Sequence, residues 1–276
     1  MLAQQRRHDA VTHNIANLNT PGYKAMAPVN RAFPEMLLAA MGGPNPPRQP
    51  IGPINTGVLA EENLTLLTQG MLQETYRPLD LAIVSDIEVP GAVFDASGKY
   101  VAPDGTVIVQ PQVYFTVRTP QGERYTRDGS FRQEPDGTLV TFDGMPVLGV
   151  DGEPIVVEES WENVRVLPDG RLVLALTGEP LPGNPQLLLT RVENPMLLVR
   201  EGDGRYRHDG PEDNLAPLQP GDRAEVRQGY LERSNVDPAQ SAVDLMAALR
   251  AYEANQKVIQ SYDRSLEKAV NEIGRV

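Results

Sequence analysis

The stretch PAQSAVDLMAALRAYEANQKVIQSYDRSLEKAVNEI, residues 238–273, decides much of the fold, because after Pro238 it contains neither glycine nor proline. Both residues break helices, so a long helix can run here. Asp237 is a suitable N-cap, and Pro238 suits the first helical position. Steps of three and four residues pick out a seam, apolar except at Gln256 and Asp263: Ala242, Leu245, Leu249, Tyr252, Gln256, Ile259, Asp263, Leu266, Val270 and Ile273. We predict an amphipathic helix over about 238–272, with a heptad-type seam that needs a helical partner.

The first twenty residues form the other segment without glycine or proline. The same spacing links Met1, Gln4, His8, Val11, Ile15 and Leu18, and it stops at Asn19-Thr20-Pro21-Gly22. We predict a second amphipathic helix here. The two helices can pack against each other or against neighbouring molecules, because neither can bury its seam alone.

Between the two predicted helices the sequence becomes rich in turns and strands. Residues 28–55 contain Gly42-Gly43-Pro44-Asn45-Pro46-Pro47 and are interpreted as a linker, with a possible short helix over 33–41. Beyond residue 63, short apolar runs alternate with Asp-Gly turns, which suit hairpins because glycine tolerates positive φ. These turns begin at Asp104, Asp128, Asp136, Asp143, Asp151 and Asp169. The predicted strands are 64–67, 79–84, 113–118, 139–142, 154–157, 164–167, 171–176 and 187–192.

The predicted fold is therefore mainly β, an antiparallel core flanked by N- and C-terminal amphipathic helices that pair in an assembled structure. We divide the chain into 1–62, an N-terminal helix plus extended linker; 63–215, a β-rich core; and 216–276, an extended segment plus the C-terminal helix.

Composition excludes several classes of function. The formal net charge is -12 and the basic residues form no run, so nucleic acid is not an expected partner. There are no cysteines, which removes disulfides and thiolate chemistry. Residues 1–17 interleave apolar and polar residues and lack the pattern of a cleaved secretory signal. No apolar run reaches the ~18 residues of a membrane span.

The sequence contains no recognisable catalytic, cofactor or metal motif. His8 and His13 are five residues apart, whereas a helical pair of metal ligands is spaced by three or four. We therefore predict no catalytic residues, no cofactor and no metal ligand. A carboxylate pair of the kind used in glycoside hydrolysis stays open as an alternative, because carboxylates are plentiful.

Three segments of the chain together carry a family resemblance. The first is Asn14-Ile15-Ala16-Asn17-Leu18-Asn19-Thr20-Pro21-Gly22-Tyr23-Lys24. The second comprises Leu67-Thr68-Gln69-Gly70, Leu79-Asp80-Leu81-Ala82-Ile83 and Tyr125-Thr126-Arg127-Asp128-Gly129-Ser130-Phe131. The third is Gln228-Gly229-Tyr230-Leu231-Glu232-Arg233-Ser234-Asn235-Val236 with Arg250-Ala251-Tyr252-Glu253-Ala254-Asn255. In this order the three segments resemble those of the flagellar basal-body rod protein family.

The resemblance implies a structural subunit of the rod, exported without a cleaved signal and located in the basal body. Its implied partners are copies of itself in a helical polymer, other rod and hook proteins, and the flagellar export apparatus. Alternatives are a hook or proximal-rod subunit, or a non-flagellar extracellular β-domain binder or hydrolase. Family members begin several residues earlier and lack residues 84–112, an expected insertion in the β domain.

The resemblance also implies which residues serve assembly. They are Asn14, Ala16, Asn17, Asn19, Thr20, Pro21, Gly22 and Tyr23 in the N-terminal motif; Gly229, Leu231, Ser234, Asn235 and Val236 in the C-terminal motif; and Leu245, Leu249, Tyr252, Asn255, Ile259 and Leu266 on the C-terminal helix.

Overall fold

A computed structural model describes residues 2–33, 36–39, 50–54, 57–87, 89, 91–95, 98–218 and 221–273. The chain forms two compact units. The helical unit comprises residues 1–16, 26–64 and 237–276, and the β unit comprises residues 17–25 and 65–236.

The helical unit contains the two long helices, α1 (Leu2–Ala16) and α2 (Pro238–Lys268), and a π-helical turn, Ala269–Ile273, extends α2. Asp237 caps α2, because its Oδ1 accepts hydrogen bonds from the backbone N–H of Ala239 at 2.8 Å and of Gln240 at 3.1 Å. Pro238 occupies the first turn. The predicted C-terminal helix is thus confirmed, with its start signals. The N-terminal helix ends earlier than its predicted seam, since α1 stops at Ala16 and Leu18 lies beyond it.

Short strands complete the helical unit: β1 (Met26–Ala27), β2 (Asn30–Ala32), β3 (Met36–Ala39), β4 (Pro50–Ile54) and β5 (Val58–Ala60). β2 pairs antiparallel with β5, and β3 with β4. The interpretation of 28–55 as a linker was therefore wrong where strands pair, and 36–39 is a strand instead of a helix. The local apolar run is compatible with either conformation, and the partner strand lies across a Gly/Pro-rich stretch. The predicted loop at 42–47 lies outside the described residues.

The remaining strands begin with β6 (Leu64–Thr65), at the boundary of the units, and otherwise belong to the β unit: β7 (Leu72–Glu74), β8 (Leu81–Ser85), β9 (Lys99–Val101), β10 (Val107–Val109), β11 (Gln112–Thr119), β12 (Gly122–Thr126), β13 (Arg132–Gln133), β14 (Leu139–Val140), β15 (Val164–Val166), β16 (Leu172–Leu174), β17 (Leu189–Val192), β18 (Leu198–Gly202), β19 (Arg205–His208), β20 (Leu215–Pro217), β21 (Ala224–Gln228) and β22 (Tyr230–Glu232).

An antiparallel six-stranded sheet in the order β18-β19-β12-β11-β17-β20 organises the β unit. Around it lie the two-stranded pairs β8/β21, β7/β22, β13/β14, β15/β16 and β9/β10. The last of these is a hairpin inside the predicted 84–112 insertion. The core is apolar and includes Leu81, Phe115, Phe131, Trp161 and Leu187, each at most 3% exposed.

The predicted antiparallel β core with terminal helices is confirmed, and its details differ at several elements. The predicted strand 154–157 makes only isolated bridges, from Pro154 to Leu148 and from Val156 to Thr138. The predicted turn at Asp128-Gly129 is also different. Gly129 has no positive φ, but a Cβ there would lie 1.6 Å from the Leu81 carbonyl oxygen, so glycine permits a close approach of two backbones.

Candidate assembly site

In the helical unit, α1 and α2 pack against each other. Ala10 and Val11 are buried on α1, and Ser241 and Ala248 on α2. An ion pair joins the helices at the edge of this contact, with Arg7 Nη2 3.3 Å from Asp244 Oδ1. The first half of α2 therefore has a helical partner within the same chain.

The second half of α2 has no helical partner among the described residues. Every residue from Tyr252 to Asn271 is exposed. The predicted seam is part of this surface, since Tyr252 is 39%, Ile259 45% and Leu266 63% exposed. Leu249 and Asn255 are also exposed, and Leu245 is half-buried. At about 1.5 Å per residue, the described part of α1 spans roughly 22 Å, whereas α2 spans roughly 46 Å.

Asn14 fixes the end of α1 in the helical unit. Its Nδ2 donates to the carbonyl oxygen of Met26 at 2.8 Å, and its Oδ1 accepts from the backbone N–H of Met26 at 2.9 Å. Asn14 is buried, so these bonds satisfy polar groups that water cannot reach. Ala16 is the last residue of α1 and is exposed.

The rest of the N-terminal motif is a turn in the β unit. The Asn17 side chain accepts a hydrogen bond from Thr20 Oγ1 at 3.2 Å, while Asn19 is exposed. Pro21 precedes Gly22, whose φ is +67°. A Cβ on Gly22 would lie 2.5 Å from the carbonyl carbon of Arg127, so both conformation and space require glycine.

The C-terminal motif lies beside this turn. The Asn235 Oδ1 accepts from the backbone N–H of Ala25 at 2.6 Å, and its Nδ2 donates to the carbonyl oxygens of Leu66 and Thr68 at 3.0 Å each. Val236 packs in an apolar cluster with Tyr23 and Ala25, against which Leu18 and Leu66 also pack. Apart from Asn14 and Ala16 on α1, the two motifs thus form one site within the β unit.

Gly229 and Leu231 join the C-terminal motif to residues 73–80, whereas Ser234 bonds within the motif. Gly229, at φ +80°, donates its N–H to the Asp80 carbonyl oxygen at 2.7 Å. Leu231 pairs with Gln73 in the β22/β7 ladder. The Ser234 Oγ accepts from the backbone N–H of Val236 at 3.4 Å.

A buried ionic cluster lies where the motifs meet. Lys24 Nζ donates to Glu232 Oε1 at 2.6 Å, and Arg127 Nη1 donates to Glu232 Oε2 at 3.4 Å. The side chains of Lys24, Arg127 and Glu232 are at most 1% exposed. Glu232 Oε1 also accepts from the backbone N–H of Gly70 at 2.8 Å. We call Lys24, Arg127 and Glu232 the charge triad.

Burial and charge shift the pKa values in this cluster. Burial lowers the pKa of Lys24 to about 8, although the Glu232 carboxylate partly offsets it. Burial by itself would raise the pKa of Glu232, but Arg127 and Lys24 outweigh it and the pKa lies below its ordinary value. Burial raises the pKa of Tyr23, against the opposing charge of Arg200, whose Cζ lies 4.4 Å from the centre of the Tyr23 ring. At neutral pH the triad therefore carries two cations and one anion.

A catalytic or metal-binding site has less support among the described residues than an assembly site. A cavity of about 490 Å³ in the β unit is lined by Leu187, Leu189 and Pro217, together with Asp169 and Asp222. Asp169 forms an ion pair with Arg171, and Asp222 forms one with Arg191, so each carboxylate already has a cationic partner. Across the described ranges no group of three or more His, Asp or Glu residues could hold a metal ion. In the same part of the chain no helix is long and apolar enough to cross a membrane.

The sequence pointed to the motifs that meet here but not to the charge triad. Lys24, Arg127 and Glu232 all lie inside the three quoted segments, yet their residue types are normally exposed. Gly70 was quoted without a role. A Cβ on it would lie 1.8 Å from the Arg233 carbonyl oxygen, so it allows β22 to approach. Such close approaches cannot be seen in a sequence, because they depend on residues distant in the chain.

Comparison with known proteins gives three matches to family models. Residues 1–24 match the model described as flagella basal body rod protein. Residues 108–174 match the flagellar hook protein FlgE/F/G D1 domain, and residues 227–272 match the flagellar basal body rod FlgEFG protein C-terminal domain.

Similar proteins match the chain along almost its whole length. The flagellar hook-basal body complex protein FlhO of Bacillus subtilis is 36% identical, over 100% of this chain and 96% of its own length. The flagellar basal-body rod protein FlgF of Caulobacter vibrioides is 30% identical, over 99% of this chain and 94% of its own. The flagellar basal-body rod protein FlgG of Bacillus subtilis is 28% identical, over 97% of this chain and 93% of its own length.

Proposed function

This chain belongs to the flagellar basal-body rod protein family, and from that premise we propose that it polymerises through the exposed seam of α2 into the axial tube that links the flagellar motor to the hook. It is a structural subunit of the rod and hook axis, located in the basal body. Its partners on that axis are copies of itself and other rod and hook proteins.

The observation that carries this proposal is the uncovered half of α2. Tyr252, Ile259 and Leu266 share one face of the helix, and each keeps between 39% and 63% of its surface in water. Covering that surface would contribute roughly 1 kcal/mol or more for each side chain. An isolated helical half of this length is marginal in water, so a neighbouring helix would both order and cover it.

The polymer must be open, because a tube grows by addition. A head-to-tail contact, in which two different surfaces of one chain meet, generates such a filament when its rotation does not close into a ring. In our proposal the seam of α2 meets a helix of the next subunit. The β unit supports the load of rotation, because the charge triad and Asn235 join both motifs to its sheets.

The family is structural, and we assign no reaction to the chain. We include the flagellar export apparatus among its partners, because members of the family reach the rod by that route. Nucleic acid is not among them, since a net charge of -12 opposes phosphate.

A deletion strain tests the function directly. Basal bodies purified from the parent strain should contain this chain, and a strain lacking it should stop axial assembly before the hook and lose motility, with recovery when the gene is returned. A motile deletion strain with complete hooks would show that the chain is not an essential rod subunit.

A further inference from the structure

The charge triad is unbalanced within the β unit. Lys24 and Arg127 are two buried cations, and among the described residues Glu232 is the one carboxylate within 4 Å of either. Lys24 comes from the N-terminal motif, Glu232 from the C-terminal motif, and Arg127 from the loop after β12. Removing one partner of a buried ion pair is strongly unfavourable, because it leaves an uncompensated charge in a medium of low dielectric constant.

We propose that the two terminal motifs dock on the β unit in a fixed order, with residues 229–236 first and residues 17–25 second. Glu232 docking alone meets Arg127, and one anion then faces one cation. Lys24 docking alone would place a second buried cation beside Arg127 with no carboxylate near. The N-terminal motif can therefore close only on a C-terminal motif that is already in place.

Hydrogen bonds also join the two motifs. The N–H of Gly22 donates to the Glu232 carbonyl oxygen at 2.8 Å, and the N–H of Ala25 donates to Asn235 Oδ1 at 2.6 Å. Both acceptors belong to the C-terminal motif. Arg200 Nη2 and the N–H of Leu66 also bond residues 24 and 25, at 2.8 Å each, but they add no negative charge.

The C-terminal motif also has several partners of its own in the β unit. β22 pairs with β7, Gly229 bonds Asp80, and the Asn235 Nδ2 bonds the Leu66 and Thr68 carbonyl oxygens. These partners all lie within 65–80. Without residues 17–25, the motif loses Lys24, the two bonds from Gly22 and Ala25, the packing of Val236, and a 3.4 Å bond from the Asn235 N–H to the Tyr23 carbonyl oxygen. It keeps the partners within 65–80.

Ordered docking means that residues 17–25 become ordered only in a subunit whose residues 229–236 are present and docked. In a subunit whose residues 229–236 are missing or displaced, residues 17–25 cannot dock on the β unit. The order concerns the free subunit and holds whether or not the chain polymerises, so its failure would leave the proposed function standing.

Hydrogen exchange followed by mass spectrometry on the full-length monomer tests the order. In the parent, amides of 17–25 should exchange faster than those of 229–236. Glu232→Gln should lower the protection of 17–25 about tenfold or more, because two cations then lack a carboxylate. Glu225→Gln, which breaks the exposed pair with Arg227, should change neither segment and serves as the matched control.

Lys24→Met distinguishes order from general loss of stability. In the parent background it should change protection of 229–236 by less than about threefold. In the Glu232→Gln background it should raise protection of 17–25 about tenfold, since one of the two unpaired cations is gone. An equal effect of Lys24→Met on the protection of residues 17–25 in both backgrounds would overturn the proposal. Should Glu232→Gln fail to fold, Lys24→Met alone decides: retained protection of 229–236 supports the order, and its loss contradicts it.

Discussion

Lys24 Nζ lies 2.6 Å from Glu232 Oε1, although 208 positions separate the two residues in the chain. The pair closes residues 24–232 into one loop, and both side chains are excluded from water. The N-terminal and C-terminal motifs of this family therefore meet inside the subunit, on the β unit.

Glu232→Gln should lower the free energy of unfolding of the β unit by about 3–5 kcal/mol, because Lys24 and Arg127 both lose their carboxylate. Glu225→Gln removes the carboxylate of an exposed pair and should cost less than about 1 kcal/mol. Urea denaturation of the two variants measures the difference. Similar losses of unfolding free energy for the two variants would mean that the buried triad stabilises the chain no more than an exposed ion pair does.

Gly22→Ala should destabilise the chain by about 3 kcal/mol or more, since the new Cβ enters the Arg127 backbone and φ is positive. Gly144→Ala is the matched control: its φ is +79°, but no atom lies within 4 Å of the added Cβ. It should cost about 1–2 kcal/mol, from conformation alone. Thermal unfolding of both variants gives the comparison, and equal losses would exclude the close packing as the cause.

Stability should depend on pH through Lys24. Its pKa is about 8 in the folded chain, below the ordinary value near 10.4, so the unfolded chain binds the proton more tightly. The cost of the buried charge is fully present below pH 8 and is relieved as the pH rises towards 10. The free energy of unfolding of the parent should therefore rise relative to that of Lys24→Met, by about 1–3 kcal/mol between pH 7 and 10. Parallel profiles would show that Lys24 keeps its ordinary pKa.

The second half of α2 should be the first helical region cut by protease in dilute monomer. Lys257, Arg264 and Lys268 are exposed trypsin sites on a helical segment without a partner. If the chain polymerises through the seam as proposed, the polymer covers it, and cleavage there should slow about tenfold or more. Mass spectrometry of timed digests locates the cuts. Resistance of residues 252–268 in the monomer equal to that of the β unit would mean that the helix needs no neighbour.

Local signals predicted the ends of the chain better than its middle. Asp237 caps α2, Pro238 begins it, and its apolar residues follow a heptad spacing. All of these signals for a helix lie close together in the sequence. The strands β18 and β19 were missed, because Arg205–His208 is mostly charged and polar and lacks the apolar run used to find strands. β7 was missed because it is short and pairs with a strand more than 150 residues away.

The sequence indicated which residues belong to the two motifs, but it did not indicate how they contact each other. The motif residues from Asn17 to Tyr23 and from Gly229 to Val236 were chosen by resemblance, and the structure places them together. Nothing local in the sequence indicates that Lys24 is buried, because lysine is normally exposed and its partner lies near the other end of the chain. Whether these residues serve assembly stays a prediction.

Two acidic substitutions on α2 test assembly through the seam. Ile259→Asp places a charge in the seam, whereas Ser261→Asp places the same charge about 200° around the helix. Both positions are exposed, so neither variant should unfold the monomer. The amount of each variant in purified hook and basal bodies is then measured in a strain lacking the native chain. We predict near-parental incorporation of Ser261→Asp and loss of at least about 90% for Ile259→Asp. Normal incorporation of Ile259→Asp would contradict assembly through the seam.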